Sequence, residues 1–130
     1  MALLLLDTHL VLWAAGEPER LPAKARALMA DPGHALAFSA VAVWEVAIKA
    51  ARGRPGFAVR PGRFRRLLLA AGYREIAVSG EHAVAVADLP PIHKDPFDRV
   101  LVAQARVEGA TLLTADATVA RYGDPVALVA

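Results

Sequence analysis

Short apolar runs alternate with longer stretches of helical period along this chain, and that alternation restricts the fold more than any other feature. A strand covered by helices on both faces is apolar throughout rather than every second residue, so the pattern predicts β/α units around a parallel sheet. Strands are expected near Leu3 to Leu6, Ala35 to Phe38, Glu75 to Val78, Thr111 to Leu113 and Val126 to Val129. Helical spacing covers Pro22 to Ala30, Ala40 to Ala51, Gly62 to Ala71, Glu81 to Ala87 and Phe97 to Glu108, with Gly53, Gly72 and Gly109 as stops. At 130 residues the chain fits a single domain. The turns Gly53-Arg-Pro-Gly56 and Leu89-Pro-Pro-Ile92 read as loops within it rather than linkers.

Although 56% of the residues are hydrophobic, the apolar runs are far shorter than the roughly 18 to 20 residues that span a bilayer. Met1 to Leu6 has no basic flank and runs directly into Asp7, unlike a secretory signal. Without cysteine there is no disulfide framework and no thiolate metal site. A cytoplasmic location is expected.

Against this apolar background five acids stand out: Asp7, Glu45, Asp95, Asp98 and Asp116. Charge beside a core is costly unless a cation offsets it. Asp7 follows the first strand, where it either caps a helix through Leu10, Val11 and Trp13 or carries chemistry. Glu45 is flanked by Trp44 and Val46, with Val41, Ala42 and Ile48 one turn away, which sets it near the apolar face. An exposed ion pair with Lys49 fits it less well. In Asp95-Pro96-Phe97-Asp98 the first acid suits an N-cap, the proline N1 and the second acid N3, while Asp98 shares the buried side with Leu101 and Val102. Asp116 again reads equally as a cap for a helix over Ala117 to Tyr122, with Thr114 competing, or as a functional acid.

Functional groups in open α/β sheets collect beyond the carboxyl ends of the strands. Asp7, Glu45, Asp98 and Asp116 all fall at that edge, and a shared divalent cation explains the four together better than four separate caps do. Oxygen donors without cysteine, and without closely spaced histidines, suit Mg²⁺ or Mn²⁺ rather than zinc. Of His9, His34, His82 and His93, only His93 is placed to reach the same rim, two residues before Asp95. No GxxxxGK[ST], GxGxxG or GxSxG motif is present.

Net charge is +2, yet Lys49, Arg52, Arg54, Arg60, Arg63, Arg65, Arg66 and Arg74 crowd one acid-free stretch. The stretch is either a polyanion-binding surface or a solvated helix face.

Four segments carry a resemblance over nearly the whole chain: Leu4-Leu-Leu-Asp-Thr-His-Leu-Val-Leu-Trp13, Phe38-Ser-Ala-Val-Ala-Val-Trp-Glu-Val-Ala-Ile-Lys49, His93-Lys-Asp-Pro-Phe-Asp-Arg-Val-Leu-Val-Ala-Gln104 and Leu112-Leu-Thr-Ala-Asp116. In order and spacing the chain resembles PIN-domain nucleases, and among them the VapC-type ribonuclease toxins of toxin–antitoxin pairs. The resemblance implies a three-layer α/β/α sandwich on a parallel sheet of about five strands. It also implies a catalytic, metal-holding quartet of Asp7, Glu45, Asp98 and Asp116, with Mg²⁺ or Mn²⁺ as cofactor. Thr8, Ser39 and Thr114 would support these acids by hydrogen bonds, and Asp95 would start the helix that carries Asp98.

The implied substrate is single-stranded RNA, cut by metal-activated water to leave a 5′-phosphate and a 3′-hydroxyl, with Arg52, Arg54, Arg63 and Arg66 tracking its backbone. A homodimer and a cognate antitoxin are the implied protein partners. Arg99 is expected to pair with Asp95 or to meet an antitoxin carboxylate. A PIN nuclease of RNA processing without a toxin role, and a non-catalytic nucleic-acid-binding module, are the alternatives.

Overall fold

A computed structural model describes residues 2–53 and 57–130. Its strands are β1 (Ala2–Leu6), β2 (His34–Ser39), β3 (Arg74–Ile76), β4 (Thr111–Thr114) and β5 (Val126–Leu128). All pairings are parallel, and the strand order is β3-β2-β1-β4-β5. The helices are α1 (Thr8–Gly16), α2 (Ala23–Ala30), α3 (Ala40–Ala51), α4 (Pro61–Ala70), α5 (Gly80–Val86), α6 (Pro96–Glu108) and α7 (Ala117–Ala120), with a 3₁₀ turn at Pro18–Arg20 that the helical spacing had not marked.

Both faces of the central strands are buried, which explains why their sequences are continuously apolar. Leu4, Leu6, Phe38 and Leu113 pack on one side against Leu10 and Val11 of α1, Ala25 of α2, and Phe64 and Leu68 of α4. Leu5, Ala37 and Leu112 point the other way, onto Leu101, Val102 and Ala105 of α6 and Val119 of α7. Helix α3 serves both layers, with Ala42 and Val46 on the first side and Val41 on the second. The result is the expected α/β/α sandwich, in which each fully buried leucine contributes roughly 1.5–3 kcal/mol relative to exposure.

Two boundaries depart from the periodicity. The third strand ends at Ile76 instead of Val78, because its partner β2 runs out where Ser39↔Ile76 is the last pair. Val78, past that pair, is exposed. Helix α7 closes at Ala120 rather than Tyr122, and the chain turns at Gly123 with a positive φ of 74°. At the end of α6, by contrast, Gly109 stops the helix as anticipated: its φ of 67° lets the Ala110 N–H reach back to the Ala105 carbonyl at 2.9 Å.

Helix α5 is tied to α6 by a polar contact rather than by apolar packing alone. Buried His82 receives the Ser79 N–H on Nδ1 at 3.0 Å, which assigns the proton to Nε2, 2.7 Å from Glu108 Oε2. Among the described residues no helix is long and apolar enough to cross a membrane.

Because β2 lies on one side of β1 and β4 on the other, the chain reverses direction across the sheet between β1 and β4. The crevice beyond their carboxyl ends is where α/β sheets place ligands, and Asp7 and Thr114 stand there.

Candidate metal centre

Asp7 occupies the crevice as the N-cap of α1. Its Oδ1 accepts the Leu10 N–H at 3.0 Å, and its own N–H bonds the Leu113 carbonyl at 3.0 Å, continuing the sheet pairing by one rung. The Thr114 hydroxyl donates to Oδ2 at 2.5 Å and accepts the Asp116 N–H at 3.0 Å, so one threonine joins the two acids. Only 6% of Asp7 is exposed, and burial holds its carboxyl above the ordinary range despite these donors.

Glu45 projects from α3 toward the same edge. The Thr8 hydroxyl donates to Oε1 at 2.7 Å, while Lys49 Nζ stands 4.0 Å from Oε2, the outer limit of an ion pair. The glutamate side chain is 13% exposed, in keeping with the apolar-face placement read from its neighbours. Burial raises its pKa, and the charge of Asp95 adds to that rise.

Asp95 caps α6 as expected, accepting the Phe97 N–H at 2.8 Å and the Asp98 N–H at 3.4 Å on Oδ1. That cap aims Asp98 into the cluster, where burial first, then Asp95 and Glu45, push its carboxyl up to about 7. His93 Nε2 lies 3.1 Å from Asp98 Oδ2, and the Nδ1 of the same ring receives the Asp95 N–H at 3.3 Å. Asp116 doubles as the cap of α7, accepting the Thr118 N–H at 2.8 Å, and is solvent-exposed.

The most compact group of potential ligands among the described residues is His93, Asp98 and Asp116, whose donor atoms lie within 4.8 Å of one another. Asp7 is coupled to this trio through Thr114, and Glu45 through its repulsion of Asp98. His93 is the one histidine expected at this rim, and it stands there. Its signal was its position two residues ahead of the Asp95 cap, on the turn that leads into α6.

The donor set fits a hard divalent cation. Each carboxylate has more lone-pair sites than the structure fills, and the burial and neighbouring acids that push Asp98 up to about 7 set a cost that a cation offsets. Among the described residues, lysine and arginine side chains do not supply that offset. Lys49 only reaches the edge of Glu45, and Arg99 points away.

Arg99 corrects the expectation attached to it. Instead of pairing with Asp95 or standing ready for a partner's carboxylate, its guanidinium donates to the carbonyls of Val86, Leu89 and Pro90 and to the Tyr122 hydroxyl, at 3.0–3.4 Å. The tight turn after α5 brings those carbonyls together, two of them already accepting a turn N–H (Val86 from Leu89 at 3.2 Å, Pro90 from Ile92 at 2.8 Å), and arginine's fork of donors reaches several at once. Arg99→Met should therefore lower unfolding free energy by about 1.5–3 kcal/mol, from the loss of hydrogen bonds made by a charged donor. Urea denaturation measures this, and a loss below about 0.5 kcal/mol would show that the clamp contributes little.

Ser39 also departs from a direct role at the acids. Its hydroxyl caps α3 by accepting the Val41 N–H at 3.0 Å, which fixes the helix that carries Glu45. The basic stretch, continuous in sequence, divides in space. Arg63 and Arg66 line a groove of about 630 Å³ between α1 and α4, together with Leu12, Arg60 and Leu67. Arg52 lines a separate groove of about 400 Å³ that Glu45, Lys49, Lys94 and Asp95 also border. Arg65 is held by Glu75 through two bonds of 2.6 and 2.9 Å, and Arg54 lies outside the described residues.

Comparison with solved structures finds the same fold in bacterial complexes. VapBC2 from Rickettsia felis, bound to a DNA fragment from its promoter, superposes with a TM-score of 0.69 at 15% identity, covering 97% of this chain and 96% of that one. A toxin–antitoxin complex from Klebsiella pneumoniae gives 0.67 at 21% identity over 100% and 98% of the two chains. VapBC-1 from nontypeable Haemophilus influenzae gives 0.62 at 15% identity over 94% and 92%. No curated protein matches by sequence. The PIN domain profile matches residues 4–125, nearly the whole chain, and with the sheet order and the acids at its switch point it places this protein in the PIN domain family.

Proposed function

We propose that this protein is a divalent-metal-dependent endoribonuclease and the toxin of a toxin–antitoxin pair. The observation that carries the reading is the approach of His93, Asp98 and Asp116 to within 4.8 Å of one another, beside Asp7 and Glu45 at the switch point, with Asp98 pushed up to about 7 by burial first and then by Asp95 and Glu45. A bound Mg²⁺ or Mn²⁺ would supply charge neutralisation at a phosphate oxygen and a water of lowered pKa. The chain's own residues do the rest. Thr114 and the Leu10 N–H fix both oxygens of Asp7, Thr8 fixes Glu45, and the Asp95 cap with His93 fixes Asp98, so the carboxylates meet the ion already oriented. One acid of the quartet would also take the proton of that water.

Arg52, Lys49 and Lys94, at the groove beside the acids, are the cations best placed to follow an RNA backbone. Arg63 and Arg66 border the other groove. Its apolar floor of Leu12 and Leu67 under a basic rim suits an acidic, amphipathic antitoxin segment, and the toxin–antitoxin complexes of similar fold support such a partner. A cytoplasmic homodimer completes the reading.

Incubation of the protein with a labelled single-stranded RNA tests it. Cleavage should require Mg²⁺ or Mn²⁺, stop on chelation and leave 5′-phosphate ends. Cleavage that persists in excess chelator would overturn the metal-dependent reading. Expression of the active protein, but not of a quartet variant, should arrest growth, and a small reading frame directly upstream should relieve the arrest.

A further inference from the structure

Trp44 is 59% exposed although it sits on a helix whose Val41, Ala42 and Val46 are buried. An exposed indole forgoes a large burial gain, so the position calls for a partner. The ring is not loose: Phe97 meets it edge-on, with centroids 4.9 Å apart and planes at 83°. Each aromatic directly precedes an acid of the cluster, Trp44 before Glu45 and Phe97 before Asp98. Phe97 also lines the groove that Lys49, Arg52 and Lys94 border. An exposed aromatic face, a bracing ring and three cations thus stand together at the edge of the acids.

We propose that Trp44, braced by Phe97, is the platform on which a base of a single-stranded nucleic acid stacks beside the metal centre, while Lys49, Arg52 and Lys94 hold the adjoining phosphates. The proposal rests on the ribonuclease reading for the identity of the strand. Stacking on an aromatic needs a base whose face is free, which a single strand offers and a duplex hides. Charge favours this occupant over a protein one, because three basic side chains border the groove lined by Phe97, the ring that braces Trp44, whereas lysine is depleted from protein interface cores. Of the two acids at the groove, Asp95 is committed to capping α6 and Glu45 faces the metal centre.

The test uses the full chain in chelator, so that no cleavage intervenes. In a Trp13→Phe background Trp44 is the only indole. A single-stranded RNA decamer should quench its emission, and a duplex of equal length should not. Trp44→Ala should weaken binding of the decamer about 5- to 150-fold, and Trp44→Phe should restore most of it. Unquenched emission, or equal affinity of Trp44→Ala and the parent, overturns the platform. So does a shift from dimer to monomer in sedimentation of Trp44→Ala with RNA affinity unchanged, since the ring would then serve a protein interface. Cleavage by the parent protein in Mn²⁺ is scored separately. Quenching without any metal-dependent cleavage would keep the platform and remove the ribonuclease reading, whereas cleavage with unquenched emission would do the reverse.

Discussion

Asp98→Asn should reduce metal-dependent RNA cleavage by on the order of a thousandfold or more, while the protein stays folded. The substitution removes one charge from the centre of the cluster and changes almost nothing around it. Asp95 still caps α6 through the Phe97 N–H, and an amide oxygen can still receive a proton from His93, now 3.1 Å from Asp98. Because Asp98 is crowded by Asp95 and Glu45, the neutral side chain should also raise the stability of the metal-free protein by roughly 1 kcal/mol at pH 8. Lower activity with higher stability separates loss of a ligand from loss of the fold. Asp95→Asn provides the contrast, since asparagine caps nearly as well as aspartate. It should cost under about tenfold in cleavage, in line with a positioning role. Gel-resolved cleavage rates in Mn²⁺ and thermal unfolding of both variants measure the difference. An Asp98→Asn protein that cleaves at the parental rate would exclude Asp98 from the centre.

The layers and the edge that carries the acids were legible in the sequence because each depends on local pattern. Continuous apolar runs such as Leu3 to Leu6 exist because both sheet faces are covered, and the helical spacing from Ala40 to Ala51 marks α3 to the residue. Asp95-Pro96 likewise announced a helix start that the backbone adopts. What escaped depends on contacts between distant segments. Arg99 is committed to the turn after α5, whose open carbonyls no linear pattern reveals. The basic stretch looked like one surface because its residues are consecutive. Arg52 stands beside the acids, whereas Arg63 and Arg66 on α4 line the α1–α4 groove. His93, by contrast, was legible from its place two residues before Asp95, whereas Trp44 read as one more apolar residue of a core helix and is exposed.

In chelator, the protein should become less stable as pH rises from about 4 to 7, the opposite of ordinary acid denaturation. Asp98 titrates near 3.8 in the unfolded chain and about 7 in the native one. The native state therefore binds the extra proton within that window. The stabilisation is fully present below the unfolded value and is lost as pH climbs through the folded value. Asp7 and Glu45 are shifted in the same direction by burial and act with the same sign. Three units at ~1.36 kcal/mol each set a ceiling of about 4 kcal/mol, and partial exposure of Asp98 lowers the expected loss to roughly 2 kcal/mol. Mn²⁺ competes for the same oxygens as the proton, so a concentration of about 100 Kd should return about 2.7 kcal/mol at pH 8 and much less at pH 5. Urea unfolding at the two pH values, with chelator and with Mn²⁺, gives all four quantities. In Asp98→Asn the chelator curve should lose most of its slope, which assigns the effect to this carboxyl rather than to the histidines. A parent protein equally stable at pH 5 and 8 in chelator, and indifferent to Mn²⁺, would mean that the four acids neither crowd one another nor share a cation.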